Sequence, residues 1–113
     1  MVKVYLISSE INGKKHYKIG YTKRNIEQRV KEFKTGNSSN FEIVDYFNSE
    51  WGTKIEALLH NRFKNKLIRG EWFLLDDGDI ENFKSICENY HNNFNLLLNN
   101  TYIVDRIEKG KKI

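Results

Sequence analysis

Apolar and polar positions alternate at the start of the chain. Val2, Val4 and Leu6 take turns with Lys3, Tyr5 and Ile7, the period of a β-strand over residues 2–8. Asn12-Gly13 follows, a pair that tolerates positive φ and signals a two-residue hairpin turn, so residues 15–21 are predicted to return as a second strand. The period then lengthens. Asn25 and Gln28 form a capping-box pattern that opens a helix to about residue 35, with Ile26, Val30 and Phe33 on its apolar face and Gly36 as its stop. Residues 41–48 read as a third strand. Thr53 opens a helix over residues 53–67 whose inward face is Ile55, Leu58, Leu59 and Phe63. Residues 71–75 form a short extended piece. Asp79 caps a last helix over residues 79–98, with Phe83, Ile86, Cys87, Tyr90, Phe94 and Leu97 turned inward. The order ββαβαβα predicts an α+β domain, a small antiparallel or mixed three-stranded sheet flanked by helices, over residues 1–100. Residues 101–113 begin apolar and end basic, as either an edge strand or a frayed tail.

Composition narrows the class. The 113 residues support one domain with one modest core. No apolar run approaches the roughly 18 residues that a membrane helix needs, and the alternating N-terminus reads as a strand, not a signal peptide. A single cysteine, Cys87, allows no internal disulfide, so a reducing, intracellular setting is expected, with Cys87 as a small core residue. The net charge of +4 is mild, but residues 14–34 hold eight basic side chains against Glu27 and Glu32. Residues 76–81 carry four acidic ones. The basic front, with Lys14, Lys15, Lys23, Arg24, Lys31 and Lys34, suits phosphates; a plain solvated helix face is the other reading.

Five positions carry candidate chemistry: Tyr5, Lys18, Arg29, Glu56 and His60. With Asn12-Gly13 at the turn, Tyr5 faces Gly20 and Ile7 faces Lys18, all on one side of the ribbon. Gly20 leaves an open floor beside the Tyr5 ring, and a phenol near an ammonium is a hydroxyl donor or base; an ordinary strand tyrosine is the alternative. Arg29 lies about 60° from Ile26 on a helical wheel, at the margin of the apolar stripe. There its stem packs and its guanidinium is held for a bidentate grip on phosphate, or for pairing with Glu32 or Glu27. Glu56 and His60 are neighbours at i, i+4. Glu56 offers an oxygen for Mg²⁺, or it closes a capping box with Thr53. His60 is either a catalytic partner or a satisfied boundary histidine. Trp72 and Phe73 are expected in the core, and Glu71 exposed or paired. There is no CxxC pair, HExxH or glycine-rich phosphate loop, so neither zinc nor a nucleotide cofactor is expected.

In order and spacing, Val4-Tyr5-Leu6, Tyr17-Lys18-Ile19-Gly20-Tyr21-Thr22, Arg29, Glu56 with Leu59-His60, and Glu71-Trp72-Phe73 resemble the GIY-YIG nuclease superfamily. The likeness is to its compact phage and viral branch, where "KIG-Y-T", "E-x-x-LH" and "EWF" segments recur, and it covers about residues 2–75. It implies a small α/β sandwich and an intracellular, phage-type hydrolase, a DNA endonuclease dependent on one divalent ion, Mg²⁺ or Mn²⁺. By that likeness Tyr5 stands at the first signature tyrosine, Lys18 at the second, Arg29 at the helix arginine and Glu56 at the metal-binding glutamate. His16 or His60 is the candidate proton relay. The chain departs from the signature at Lys3 and Val4, at Lys18 in place of tyrosine, and at Phe33 where some relatives have histidine. Those departures define the rival reading, a catalytically silent relative that binds DNA or protein.

Overall fold

The computed structural model describes residues 1–35 and 41–99, with the side chains of residues 33–35 and 99 left undescribed. Gly36 and the tail at 101–113 therefore lie outside the described residues, as do the side chains of Phe33 and Lys34. The hairpin forms as the alternation predicts. Strands β1 (Val2–Ile11) and β2 (Lys14–Thr22) pair antiparallel, with Tyr5 opposite Gly20 and Ile7 opposite Lys18. Asn12 and Gly13 make the turn at φ +51° and +78°, the left-handed values of a type I′ turn that matches strand twist.

The sheet has five strands, not the three expected. Helix α1 (Ile26–Thr35) leads to β3 (Phe41–Ser49), which pairs with the outer side of β1. Helix α2 (Gly52–Arg62) ends earlier than residue 67. A 3-10 turn at Lys64–Lys66 follows, and then β4 (Leu67–Arg69) and β5 (Trp72–Phe73) join the free side of β2 in the order β3-β1-β2-β5-β4. All pairings are antiparallel. Gly70, at φ +58°, reverses the chain between β4 and β5. Pairing with Phe73 needs extended backbone at Leu67, and that requirement stops the helix that the apolar spacing would have continued.

The last predicted helix is split. Asp76, not Asp79, caps the short helix α3 (Asp77–Glu81), and Asp79 completes a reciprocal capping box from the third position. Helix α4 (Phe83–Asn99) then begins beyond Asn82. Thr53 does not cap α2 either: Trp51 takes the N-cap position and makes no side-chain cap bond.

β1 lies inside the sheet with both faces covered, so every residue from Val4 to Ser9 is buried. Val4 and Leu6 join Tyr17, Ile19 and Phe73 beneath α2 and α4, which contribute Ile55, Leu59, Phe63, Phe83, Ile86 and Cys87. On the opposite face Tyr5 and Ile7 pack with Ile26 and Val30 of α1, with Phe41, and with the partly buried Trp72. The architecture is a three-layer α/β sandwich. Two expected core positions are outside: Leu58 is 36% exposed and Leu97 46%. Burial in both layers follows from the sheet's width, since α2 covers β1 and β2 while its Leu58 side overhangs solvent.

α4 is tied to the end of β3 by a directed relay. Trp51 Nε1–H donates to Asn95 Oδ1 (2.9 Å), so the Asn95 amide nitrogen donates to His91 Nε2 (3.0 Å). That leaves His91 Nδ1–H to donate to Ser49 Oγ (2.7 Å), which also accepts from Trp51 N–H (2.9 Å). Ser49 is fully buried, so this serine–histidine pair is a structural clasp.

Cys87 is fully buried, and burial pushes its thiol up to about 12. Because the thiolate is the nucleophile, alkylation of the folded protein by iodoacetamide at pH 8 should run at least about a hundredfold slower than in denaturant. Mass spectrometry of timed aliquots checks it; equal rates would place the thiol at the surface.

Candidate active site

The site gathers where β2 runs on past the end of β5. Beyond Lys18 the β5 strand no longer pairs with β2, and Ile19 N–H donates to the Glu71 carbonyl (3.2 Å) as the last link. Tyr5 crosses from β1 over Gly20. A Cβ built on Gly20 would lie 2.6 Å from Tyr5 Cζ and 2.9 Å from Cε1, so the ring occupies the space that any side chain there would need. Tyr5 is thereby both buried and aimed along the sheet toward α1.

Arg29 meets it from α1. Its guanidinium donates to the Tyr5 hydroxyl and also to Glu32 Oε2 (2.8 Å). Glu32 grips Arg24 as well, with contacts of 2.6 and 2.9 Å. One carboxylate thus orients two guanidinium groups, and the two arginines hold its own carboxyl below the usual range. The sequence offers phosphate, Glu32 or Glu27 as partners for Arg29; the fold gives it Tyr5 and Glu32 together. Burial raises the Tyr5 phenol above its ordinary value. Arg29 pulls the other way, while Glu71 and Glu56 reinforce the rise. The cation that acts on Tyr5 is therefore Arg29, not Lys18.

Lys18 instead reaches Glu71, with its Nζ 3.5 Å from Oε2, and lies 5.8 Å from the centre of the Trp72 ring. Glu71, expected to be exposed or paired, is paired with Lys18. Gly70 turns β4 into β5 and leaves the next side chain beside Lys18.

Glu56 projects from the first turns of α2 and does not cap that helix. Its carboxylate Oε1 lies 3.1 Å from His60 Nε2. The same Nε2 is 2.8 Å from the Ile19 carbonyl oxygen, which can only accept, so Nε2 carries the proton and shares it with Glu56. The His60 ring stands edge-on to Phe73, with centroids 5.0 Å apart. His60 therefore fixes the Glu56 carboxylate and ties α2 to β2. Burial raises the Glu56 carboxyl, the neighbouring His60 lowers it, and Glu71 raises it further.

Ligand atoms of Glu56, His60 and Glu71 lie within 4.8 Å of one another. With Nε2 protonated, the donors left are two carboxylates, one half-buried and carrying a charge that its surroundings disfavour. That set fits a hard divalent ion such as Mg²⁺ or Mn²⁺, which takes one or two carboxylates and fills its shell with water and phosphate.

Tyr5, Arg29 and Glu71 line a cleft of about 400 Å³ with Arg24, Tyr21 and Thr22. Strand alternation sends Tyr21 to the other face, yet it lines this cleft. Of the other basic residues, Lys23 is exposed next to Arg24 in the chain, Lys31 is exposed on a separate groove with Val30, Phe41 and Ile43, and Lys14 and Lys15 sit at the hairpin tip, far along β2.

A family model for the T5orf172 domain matches residues 3–90, from the start of β1 into α4. The chain belongs to the T5orf172 domain family. That family is nuclease-related, and the match includes every residue of the cleft. No curated protein and no solved structure matches this T5orf172 domain. Among its described residues no helix is long and apolar enough to cross a membrane.

Two outcomes follow for this T5orf172 domain. Gly20→Ala should destabilise it by about 1–3 kcal/mol through overpacking against Tyr5. In a urea-unfolding double-mutant cycle most of that loss should vanish in a Tyr5→Ala background; an unchanged loss would mean the ring is not the obstacle. Because the fold raises the Glu56 carboxyl, the protein favours its neutral form. Stability without metal should therefore fall as pH rises from about 4.3, the ordinary carboxylate value, through the raised folded one. Glu56→Gln should remove that slope and melt higher than the parent at pH 7 in EDTA, as calorimetry across pH 4–8 would show.

Proposed function

We propose that this domain is a divalent-metal-dependent endonuclease that hydrolyses phosphodiester bonds in DNA, with the GIY-YIG type of site. The observation that carries this reading is the convergence of Tyr5, Arg29 and Glu71 on one polar cleft, with the Glu56 carboxylate beside that of Glu71. Membership in a nuclease-related family supports it.

Glu56 and Glu71 would hold the cation, with His60 and Lys18 fixing the two carboxylates from behind. When bound, the ion supplies Lewis-acid polarisation of a phosphate oxygen and a positive field that offsets the charge on Glu56 and favours ionisation of Tyr5. Arg29, half-buried and aimed by Glu32, donates to a non-bridging oxygen as negative charge grows there. Tyr5 Oη, as the phenolate that the Arg29 hydrogen bond stabilises, accepts the proton of the attacking water, directly or through a second water, and becomes the phenol. Lys23 and Arg24 supply phosphate contacts beside the cleft, which makes binding salt-sensitive.

One observation favours a second reading. Lys18 occupies the second tyrosine position and is engaged by Glu71, and burial holds the Tyr5 phenol high. A domain with those features and no cleavage would be a DNA-binding relative.

Supercoiled plasmid decides between them. The protein is expected to nick it in Mg²⁺ or Mn²⁺ and not in EDTA. Glu56→Ala and Arg29→Ala should each lower the rate by about 10²–10³-fold, as loss of a single transition-state contact does. A gel shift with no nicking under either metal would establish the binder, and nicking untouched by both substitutions would remove the site.

A further inference from the structure

A second cavity opens on the same sheet face, farther along the hairpin. It holds about 370 Å³ and is lined by Ser9, Ile11, His16, Phe41, Ile68, Arg69 and Trp72, near the lower end of the size range for ligand pockets. Its floor is one row across three strands, because Ser9 pairs with His16 on β2 and with Phe41 on β3. Phe41 and Trp72 form an aromatic wall, with centroids 6.0 Å apart and planes tilted by 37°. Arg69, paired with Trp72, is exposed at the rim.

Ser9 gives the cavity its polarity. Its side chain is 2% exposed, and its Oγ has no hydrogen-bond partner among the described residues. A buried hydroxyl without a partner forfeits the hydrogen bonds it made to water in the unfolded chain. A ligand with an edge that both donates and accepts would recover that loss.

The surroundings indicate which ligand. Lys14, His16 and Lys18 alternate onto this face of β2, so the pocket lies between the basic hairpin tip and the cleft, with the Lys18 ammonium near the far end of Trp72. Ser9 is four residues from Tyr5 along β1, or about 13 Å at strand rise. That is the span of about four nucleotides of a B-form strand. A flat group that stacks on aromatic rings, offers hydrogen bonds at its edge and hangs from an anionic chain is a nucleobase.

We propose that this pocket takes one unpaired base of a DNA strand running along β2, a few nucleotides from the scissile phosphate. The occupant rests on the nuclease reading above, and it makes the pocket a determinant of substrate structure: DNA with a looped-out, frayed or single-stranded nucleotide is preferred over continuous duplex.

The chain has two tryptophans, Trp51 and Trp72, so protein labelled with 5-fluorotryptophan gives two ¹⁹F resonances. Deoxynucleoside 5′-monophosphates titrated in EDTA should shift the Trp72 signal saturably and leave Trp51 still, and inorganic phosphate should move neither. Ser9→Ala should weaken the nucleotide about three- to tenfold. A stationary Trp72, an equal response to phosphate alone, or unchanged affinity in Ser9→Ala would each overturn the pocket assignment. The readout needs no cleavage. Nicking with a silent Trp72 defeats the pocket alone, whereas a responsive Trp72 without nicking defeats the hydrolase and leaves a base-binding site.

Discussion

Gly20 is the position on which the site depends. A strand inside a sheet normally presents a side chain at every step, and each would block a neighbour's ring from lying across the backbone. At Gly20 the missing side chain lets the Tyr5 ring occupy that volume. Its hydroxyl then emerges where Arg29 can meet it. Removal of one carbon's worth of space would press on the phenol, which packs with Ile7, Ile26, Val30 and Phe41. The geometry of the cleft is thus set by an absence in β2.

Around that fixed phenol the charges are held in pairs. Glu32 fixes Arg24 and Arg29, Lys18 fixes Glu71, and His60 fixes Glu56. Long polar side chains lose rotamer freedom when they must act together, and each counter-charge spends part of that cost before a substrate arrives. The arrangement also keeps carboxylates and cations adjacent with no net collapse of one onto another. Glu56 is the exception: its burial disfavours the charge it carries, a condition that a divalent cation would relieve.

The two cavities share one face of the sheet because β1 and β2 are long and regular there. Side chains two residues apart line up on one face, so Lys14, His16, Lys18 and Gly20 form a single track that runs from the hairpin tip to the cleft. A basic track ending in the Tyr5–Arg29 cleft has the shape of a surface that follows a phosphate backbone. The tilted Phe41 and Trp72 rings stand beside its middle.

The sequence by itself determined whatever depends on local period and turn chemistry. Asn12-Gly13 fixed the hairpin register, and with it the opposition of Tyr5 and Gly20; the 3.6-residue spacing of Ile26 and Val30 put Arg29 at a helix margin. Long-range pairing decided the rest. Two- and three-residue strands such as Trp72–Phe73 and Leu67–Arg69 carry too few residues to show a period, so the five-stranded sheet and the placement of Glu71 were invisible until β2 supplied their partner. The role of Glu56 was undecided for the same reason. Thr53 and Glu56 have the spacing of a capping box, and only the packing of α2 on the sheet, with His60 held at the Ile19 carbonyl, sets the carboxylate against His60 and near Glu71. Periodicity is a property of neighbours in the chain, whereas a site assembled from four elements is a property of which faces are buried together.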